Sequence, residues 1–354
     1  MLVPVPRLSS GAPRVSVIIV TWNGRALLER FLPSVLATDY PDFEVVVADN
    51  ASTDGTAEWL AEAHPEVLLV QHPHNWLFAR GNNAAVPHAT GHHLVFLNND
   101  VEVPPGWLRP LVATLEALPD AAAVQPKLLQ HADRTRFEYA GGAGGYLDAL
   151  GYPFTRGRLF FTLEEDRGQY DDARDVFWAS GACLAVRRKA FEAVGGFDEA
   201  FGMHMEEVDL CWRLWRAGWR VRVAPQSEVY HLGGASLPQG DPRKTYLNFR
   251  NSLVMLYKNL PPRVWRRVAR ARRALDGLAW VRALATGGRG EAAAVRRAYR
   301  DARALYPLYR DERPADDDSP VLPPYRGAVV LDYYARRRRR FRDLLVRRFH
   351  PRWR

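Results

Sequence analysis

The stretch "GHHLVFLNND", residues 91–100, runs an apolar strand straight into two amides and a carboxylate, Asn98, Asn99 and Asp100. The carboxyl end of a core strand is where open α/β sheets bind ligands. Asn and Asp also make good turns there, through bonds to their own backbone. On these residues alone both readings stand. Two further strand-like runs end the same way: "VSVIIVTWN" closes on Thr21 and Asn23, and "FEVVVADN" on Asp49 and Asn50. One polar strand end is a turn, but three on one sheet edge describe a polar crevice. A second concentration of acids, Glu206, Glu207 and Asp209, opens the helix-like run "EEVDLCWRLWRAGW". Acids in a first turn suit the helix dipole. Three exceed that need, and a carboxylate so placed can accept a proton.

The elements that must position these groups alternate. Strand "VSVIIVTWN" is followed by a helical "RALLERFLPSVLA", and "FEVVVADN" by the helix "DGTAEWLAEAH", for which Asp or Ser/Thr caps are expected. "VLLVQH" is a third strand, "GNNAAVPHA" a short helix and "HLVFLNND" a fourth strand. Continuous apolar runs alternating with helices predict an α/β fold built on a doubly wound, mostly parallel sheet. Beyond residue 104 come a proline-opened helix and a Gly-rich stretch (139–158). A highly charged stretch (164–175) follows, and both are expected to be mobile loops. Order returns with the strand and helix of "DVFWASGACLAVRRKAFEAVGGFDEAF". The helix after it should turn Leu210, Leu214 and Trp215 inward and stop at Gly218. "RVRVAP" and "SEVYHLGG" complete the body.

Composition sets the bounds. A chain of 354 residues buries one large core, with or without a smaller appendage. Two cysteines exclude a disulfide framework and fit a reducing compartment. No apolar run reaches the ~18 residues of a membrane span. The start, "MLVPVPRLSSGAPR", lacks the features of a secretory signal. The expected location is therefore the cytoplasm. The formal charge of +9 is unevenly placed: residues 261–354 hold 25 Arg, no Lys and 10 acids, a net of +15, which leaves −6 for residues 1–260. An acidic body with a basic tail suggests an anionic surface as partner.

The order "VSVIIVTWNG", "VVVADNASTDGT", "NWLFARGNN", "FLNND", "SGACLAVRR", "GGFDEAF", "MEEVDLCWR", "VYHLGG" and "NFRNSL" resembles glycosyltransferase family 2, in its rhamnosyltransferase-like branch, over about residues 14–260. The resemblance implies a GT-A fold, a nucleotide-sugar donor, a divalent metal and inversion at the anomeric carbon. The expected layout is an N-terminal extension (1–14), a GT-A domain (15–260) and a helical, Arg-rich C-terminal region (261–354). The donor would be dTDP- or UDP-linked, and the acceptor a glycan or a lipid-linked glycan of the cell envelope.

By the same resemblance, Asp100 is the carboxylate that holds Mg²⁺ or Mn²⁺, with His231 of "VYHLGG" reaching back to that metal. Asn98 takes the ribose position, Asp49 reads the uracil or thymine edge, and Thr21, Asn23 and Asn82 line the donor site. Leu77 stands where the family usually has Gly, so the local backbone is expected to differ. Glu207 matches the family's base, with Glu206 and Asp209 as alternatives. Ser180, in "SGAC", falls beside donor and acceptor, and Arg250 of "NFRN" faces acceptor or diphosphate.

Two other functions compete. A sugar-phosphate nucleotidylyltransferase would begin with a Gly-rich phosphate loop, which "TWNGRALLERF" lacks. A nucleic-acid-binding protein suits the basic tail, but the acidic body and the lack of a recognisable motif count against it. The tail also has a membrane reading. Val264, Val268, Ala271, Leu275 and Leu278 share one face of a helix over 263–284, opposite Arg266, Arg270 and Arg273. That is the pattern of a helix lying in a membrane surface, and Arg336–Arg340 adds a polybasic run. The alternative is a helical hairpin packed on the catalytic body.

Overall fold

The computed structural model describes residues 11–233, 241–316 and 321–353. Most of the expected N-terminal extension, and the final glycine of "VYHLGG", lie outside them. Strands β1 (Val15–Thr21), β2 (Phe43–Asp49), β3 (Leu68–Gln71) and β4 (His93–Leu97) are parallel and ordered β3-β2-β1-β4. Helices α1 (Arg25–Leu36), α2 (Thr56–Ala63) and α3 (Leu77–Ala85) carry the crossovers. Side chains alternate across the sheet: Val17 and Ile19 join one apolar layer with Leu28 and Leu32 of α1, while Ile18 joins the opposite layer with Ala79 of α3. Burial on both faces is what makes these strands read as unbroken apolar runs. The expected cap of α2 is displaced by one residue. Gly55 precedes the helix, and Asp54 accepts from the Thr56 amide.

The second half of the sheet is mixed. After β5 (Val101–Glu102) and α4 (Leu108–Ala117), β6 (Ala121–Gln130) lies beyond the fourth strand. Four short strands follow: β7 (Gly145–Leu147), β8 (Pro153–Thr155), β9 (Arg158–Leu159) and β10 (Thr162–Leu163). Then come β11 (Arg174–Asp175), β12 (Cys183–Arg187), α5 (Arg188–Ala193), α6 (Glu206–Arg216) and β13 (Arg220–His231). The strand β12 sits antiparallel between β4 and β6, and β13 runs parallel to β6. "RVRVAP" and "SEVYH" are thus one strand, interrupted by a register shift after Ala224.

The Gly-rich stretch contributes strands rather than a loop throughout, while the charged stretch is largely irregular but anchored to the body. Strands β7–β10 form an antiparallel sheet, with Tyr146, Leu147 and Phe154 buried. A Cβ on Gly145 would fall inside the ring of Trp178, and one on Gly157 inside that of Phe137. Glycine here permits close approach of the backbone to aromatic rings. Of the charges of 164–175, Asp166 and Asp171 each lie 2.6 Å from the Nζ of buried Lys127, and Asp175 pairs with Arg220 and Arg222.

The tail is packed on the body. Helix α7 (Pro242–Asn259) lies against α9 (Arg289–Leu305), which forms a hairpin with α8 (Pro262–Ala285). Of the face expected to meet a membrane, Val268 is buried and Val264 packs on the core. Leu278 alone of the five is widely exposed. Beyond helix α10 (Val329–Tyr334), the arginine run is largely engaged. Arg336 and Arg338 bond to buried Asp332, and Arg339 stacks on Tyr333. Trp353 packs edge-on to Trp215, 4.7 Å between ring centres. Among the described residues, no helix is long and apolar enough to cross a membrane.

Candidate active site

The polar end of β4 meets the end of β13 because β5 pairs with β13, setting Val101 opposite His231. His231 Nε2 lies 3.0 Å from Asp100 Oδ1, and the Leu232 amide donates to the Asp100 carbonyl. Asn98 Nδ2 is 3.4 Å from the same imidazole nitrogen. On the other side of the ring, Nδ1 is 3.3 Å from Glu138 Oε1, too poorly aligned to count as a hydrogen bond. Burial opposes a charge on His231, but Glu138 and Asp100 outweigh it and push the imidazole up to about 10. Burial likewise opposes the Asp100 carboxylate, yet the His231 bond holds it below the usual range. A carboxylate and an imidazole converging on one point suit Mn²⁺ or Mg²⁺. A carboxylate behind the second ring nitrogen is the partner that ligating histidines regularly have. Among the described residues, no group of three or more His, Cys, Asp or Glu forms a cage. Asp100 and His231 are the two such side chains that converge here.

The strand ends of β1 and β2 are in register, Thr21 opposite Asp49. Thr21 Oγ1 accepts from Asn99 Nδ2 at 2.9 Å, tying the first strand to the Asp100 turn. Asn23, at φ 48°, accepts from the Thr53 amide at 2.8 Å, so its carboxamide orders the loop after β2. Asp49 is buried and accepts from the Ser52 amide and hydroxyl. Leu77 adopts φ 59°, a left-handed backbone that favours glycine. Its carbonyl accepts from Asn50 Nδ2 at 3.1 Å. Asn82 donates to the Phe78 carbonyl and leaves its buried Oδ1 without a partner. Asn83 is fully used by the Phe197 backbone, as acceptor and donor.

The acids of α6 separate into different environments. His204 and Met205, at φ 69° and 70°, turn the chain sharply into the helix. Glu206 is buried and Glu207 half-buried, and in each the Oε2 atom has no hydrogen-bond partner. Burial pushes the Glu207 carboxyl up to about 7. Burial and the charge of Glu207 push Glu206 well above its ordinary value. Asp209, an expected alternative for the base, is instead saturated. Its Oδ2 takes Arg213 Nε at 2.7 Å and Lys258 Nζ at 3.1 Å, and its Oδ1 takes Asn259 Nδ2 at 2.8 Å. Those groups overcome its burial and hold it below the usual carboxylate range. It has no oxygen left for a substrate.

The "SGAC" segment joins the two halves. The Asn98 amide donates to the Ala182 carbonyl at 3.0 Å, while a Cβ on Gly181 would stand 3.6 Å from the Glu207 Cβ. Ser180 supports this turn, donating its amide to Gln125 and accepting from Ala182. Arg250, expected at acceptor or diphosphate, spends its NH2 on the carbonyls of Ala200 and Phe201 and its Nε on Asn251. Asn251 Nδ2 donates to Phe201, Met203 and His204. The pair thus holds the loop that presents Glu206 and Glu207.

Sequence reasoning missed Glu138 and His204. Glu138 immediately precedes the Gly-rich stretch and carries no pattern of its own that marks it. His204 is half-buried, its imidazole lowered to about 4 by that burial and by nearby Lys244, and its enclosed Nε2 has no partner. It adjoins the acid pair in "MHMEEVDL", which was the available signal.

The chain matches the family model Glycosyl transferase family 2 over residues 16–195. It is 34% identical over 232 residues to an N-acetylglucosaminyl-diphospho-decaprenol L-rhamnosyltransferase of Mycobacterium tuberculosis, covering 61% of this chain and 75% of that one. It is also 34% identical over 251 residues to the O-antigen biosynthesis protein RfbC of Myxococcus xanthus, covering 68% of this chain and 19% of that one. In fold it is similar to GalNAc-T7, solved with UDP, GalNAc and Mn²⁺, at a TM-score of 0.57 and 20% identity over 72% of this chain and 49% of that one. It is similar too to the mannosyltransferase PcManGT of Pyrobaculum calidifontis, solved with GDP-Man and Mn²⁺. That TM-score is 0.51, with 23% identity over 85% of this chain and 83% of that one. The curled, mixed sheet with its crevice at the strand ends is the GT-A fold, and the chain belongs to glycosyltransferase family 2.

Proposed function

We propose that this glycosyltransferase moves a sugar from a dTDP- or UDP-linked donor to a hydroxyl of a lipid-linked glycan, inverting the anomeric centre in one displacement. The observation that carries this reading is the placement of Glu207, with its unpartnered oxygen, across the 180–183 turn from the Asp100–His231 pair. Asp100 Oδ1 and His231 Nε2 are the atoms that would hold Mg²⁺ or Mn²⁺. When bound there, such a cation neutralises the charge that grows on the diphosphate as the glycosyl bond breaks.

The chain's own residues supply the rest. Glu207 accepts the acceptor's hydroxyl proton, a task that suits a carboxyl near pH 7. Asp49 faces the pyrimidine edge and Asn98 the ribose. Thr21 and Asn23 order the turns around them, and Asn82 offers its spare carbonyl oxygen to the donor. Ser180 fixes the turn between donor and base, and Arg250 acts through the loop it holds. The lipid-linked acceptor is supported by the Mycobacterium relative's name, and the divalent metal by Mn²⁺ in both structural neighbours. Such an enzyme would work at the cytoplasmic face of the cell membrane.

A thermal-shift panel of dTDP-, UDP- and GDP-sugars with Mn²⁺ tests the donor, and NMR of the product tests the stereochemistry. A pyrimidine-linked sugar should stabilise the protein above the others. Preference for a GDP-sugar, or a product with retained configuration, refutes the reading.

A further inference from the structure

The solvent face of α8 changes character along its length. Its first half presents Arg266, Arg267, Arg270 and Arg273, all exposed. Its last two turns present Leu278, Trp280, Val281 and Leu284, which are 67%, 36%, 55% and 43% exposed. At about 100° per residue, these four side chains cover roughly 160° of the helix surface. The face is therefore continuous, and larger than isolated surface apolar residues would give. Beside it, α8 and α9 enclose an open groove of about 640 Å³, walled by Trp280, Val295 and Tyr299. Arg273, Arg296, Arg300 and Arg303 stand at its rim. Arg300 is paired with Asp301. Among the described residues, Arg273, Arg296 and Arg303 have no ion-pair partner.

We propose that this end of the α8–α9 hairpin docks on an anionic phospholipid bilayer. Leu278, Val281 and Leu284 would enter the headgroup–acyl boundary while the arginines reach lipid phosphates. An apolar tip bounded by unpaired arginines has the two parts that such a surface requires. A second copy of this chain fits less well, since a two-fold contact on this face would bring the same arginines together. The surface used differs from the one the tail's sequence suggested. The stripe through Val264 and Val268 is spent on the protein core, and the arginine run at 336–340 is held largely by Asp332 and Tyr333.

The position gives the contact a use. A Cβ on Gly290, at the start of α9, would stand 3.1 Å from Pro242, at the start of α7. Arg250 follows Pro242 by eight residues, about 12 Å along the helix, and holds the loop before Glu207. Docking here would bring the bilayer within reach of the acceptor side of the cleft. Membrane binding itself depends on neither the donor nor the base.

Co-sedimentation of the full chain with phosphatidylglycerol–phosphatidylcholine vesicles, and with phosphatidylcholine alone, provides the test. The wild type should sediment with the anionic vesicles at low salt and not with the neutral ones. L278E/V281E/L284E and R273E/R296E/R303E should each bind at least about tenfold more weakly. All six side chains are exposed, so thermal melts and donor hydrolysis should stay at wild-type values. Failure of folded wild type to bind anionic vesicles, or full binding by both variants, overturns the proposal. So does a dimer in sedimentation velocity that L278E/V281E/L284E dissociates while vesicle binding is absent, which would assign the face to a second copy.

Discussion

Replacing Glu207 by Gln keeps the side chain's shape and removes its ability to take a proton. Burial lifts this carboxyl from 4.5 to about 7, so ionising it in place costs about 3 kcal/mol more than in water. Two consequences follow. As the base, Glu207 must be deprotonated, so the wild-type transfer rate should rise tenfold per pH unit below about 7 and level off above it. Glu207→Gln should lose that limb and at least about 10²-fold in rate, near 2.7 kcal/mol of barrier. Donor affinity should hold. Stability moves in the opposite direction. A carboxyl whose folded pKa is raised binds its proton more tightly in the folded state. Its contribution is full below 4.5 and is lost as pH rises through about 7. Glu207→Gln escapes that loss, so above pH 7 it should unfold at higher denaturant than wild type while being far slower. Rates measured from pH 5.5 to 9, with urea melts at both ends, separate the effects. A variant within about tenfold of wild type that keeps the acid limb refutes the assignment and leaves Glu206 as the base.

Other perturbations probe the rest of the site. Asp100→Ala should abolish Mn²⁺-supported donor binding in calorimetry, and His231→Ala should weaken it less; full transfer in excess chelator would contradict both. Asp209→Asn should destabilise the fold by about 3 kcal/mol, because Arg213 and Lys258 lose their buried counter-charge. At temperatures where the variant remains folded, its rate should stay near that of wild type. Asn251→Ala removes the two N–H donors that reach the Phe201, Met203 and His204 carbonyls of the loop before α6, worth about 1 kcal/mol per donor. It should lower kcat with little change in donor affinity, since the base moves and the nucleotide end does not. A purely donor-side defect would show that this loop does not position Glu207.

The parallel half of the sheet was legible because strands buried on both faces leave apolar runs that stop abruptly. Asp49 and Asp100 stand where those stops predicted. So do Glu206, Glu207 and the inward face of α6, since a helix with one buried side declares its period and its first turn. The antiparallel entry of β12 between β4 and β6 left no such mark, because a short apolar strand reads the same in either direction. The glycines of 139–158 suggested a loop, whereas the rings of Trp178 and Phe137 require them in a packed sheet. Local pattern also could not divide the three acids. Asp209 is silenced by Lys258 and Asn259, which lie 49 and 50 residues along the chain, and Glu207 is left free only because nothing comparable reaches it. The fate of the tail was decided in the same way. Val268 and Leu278 look alike on a helical wheel, but only the surfaces that fold against α8 determine which is covered and which remains available to a partner.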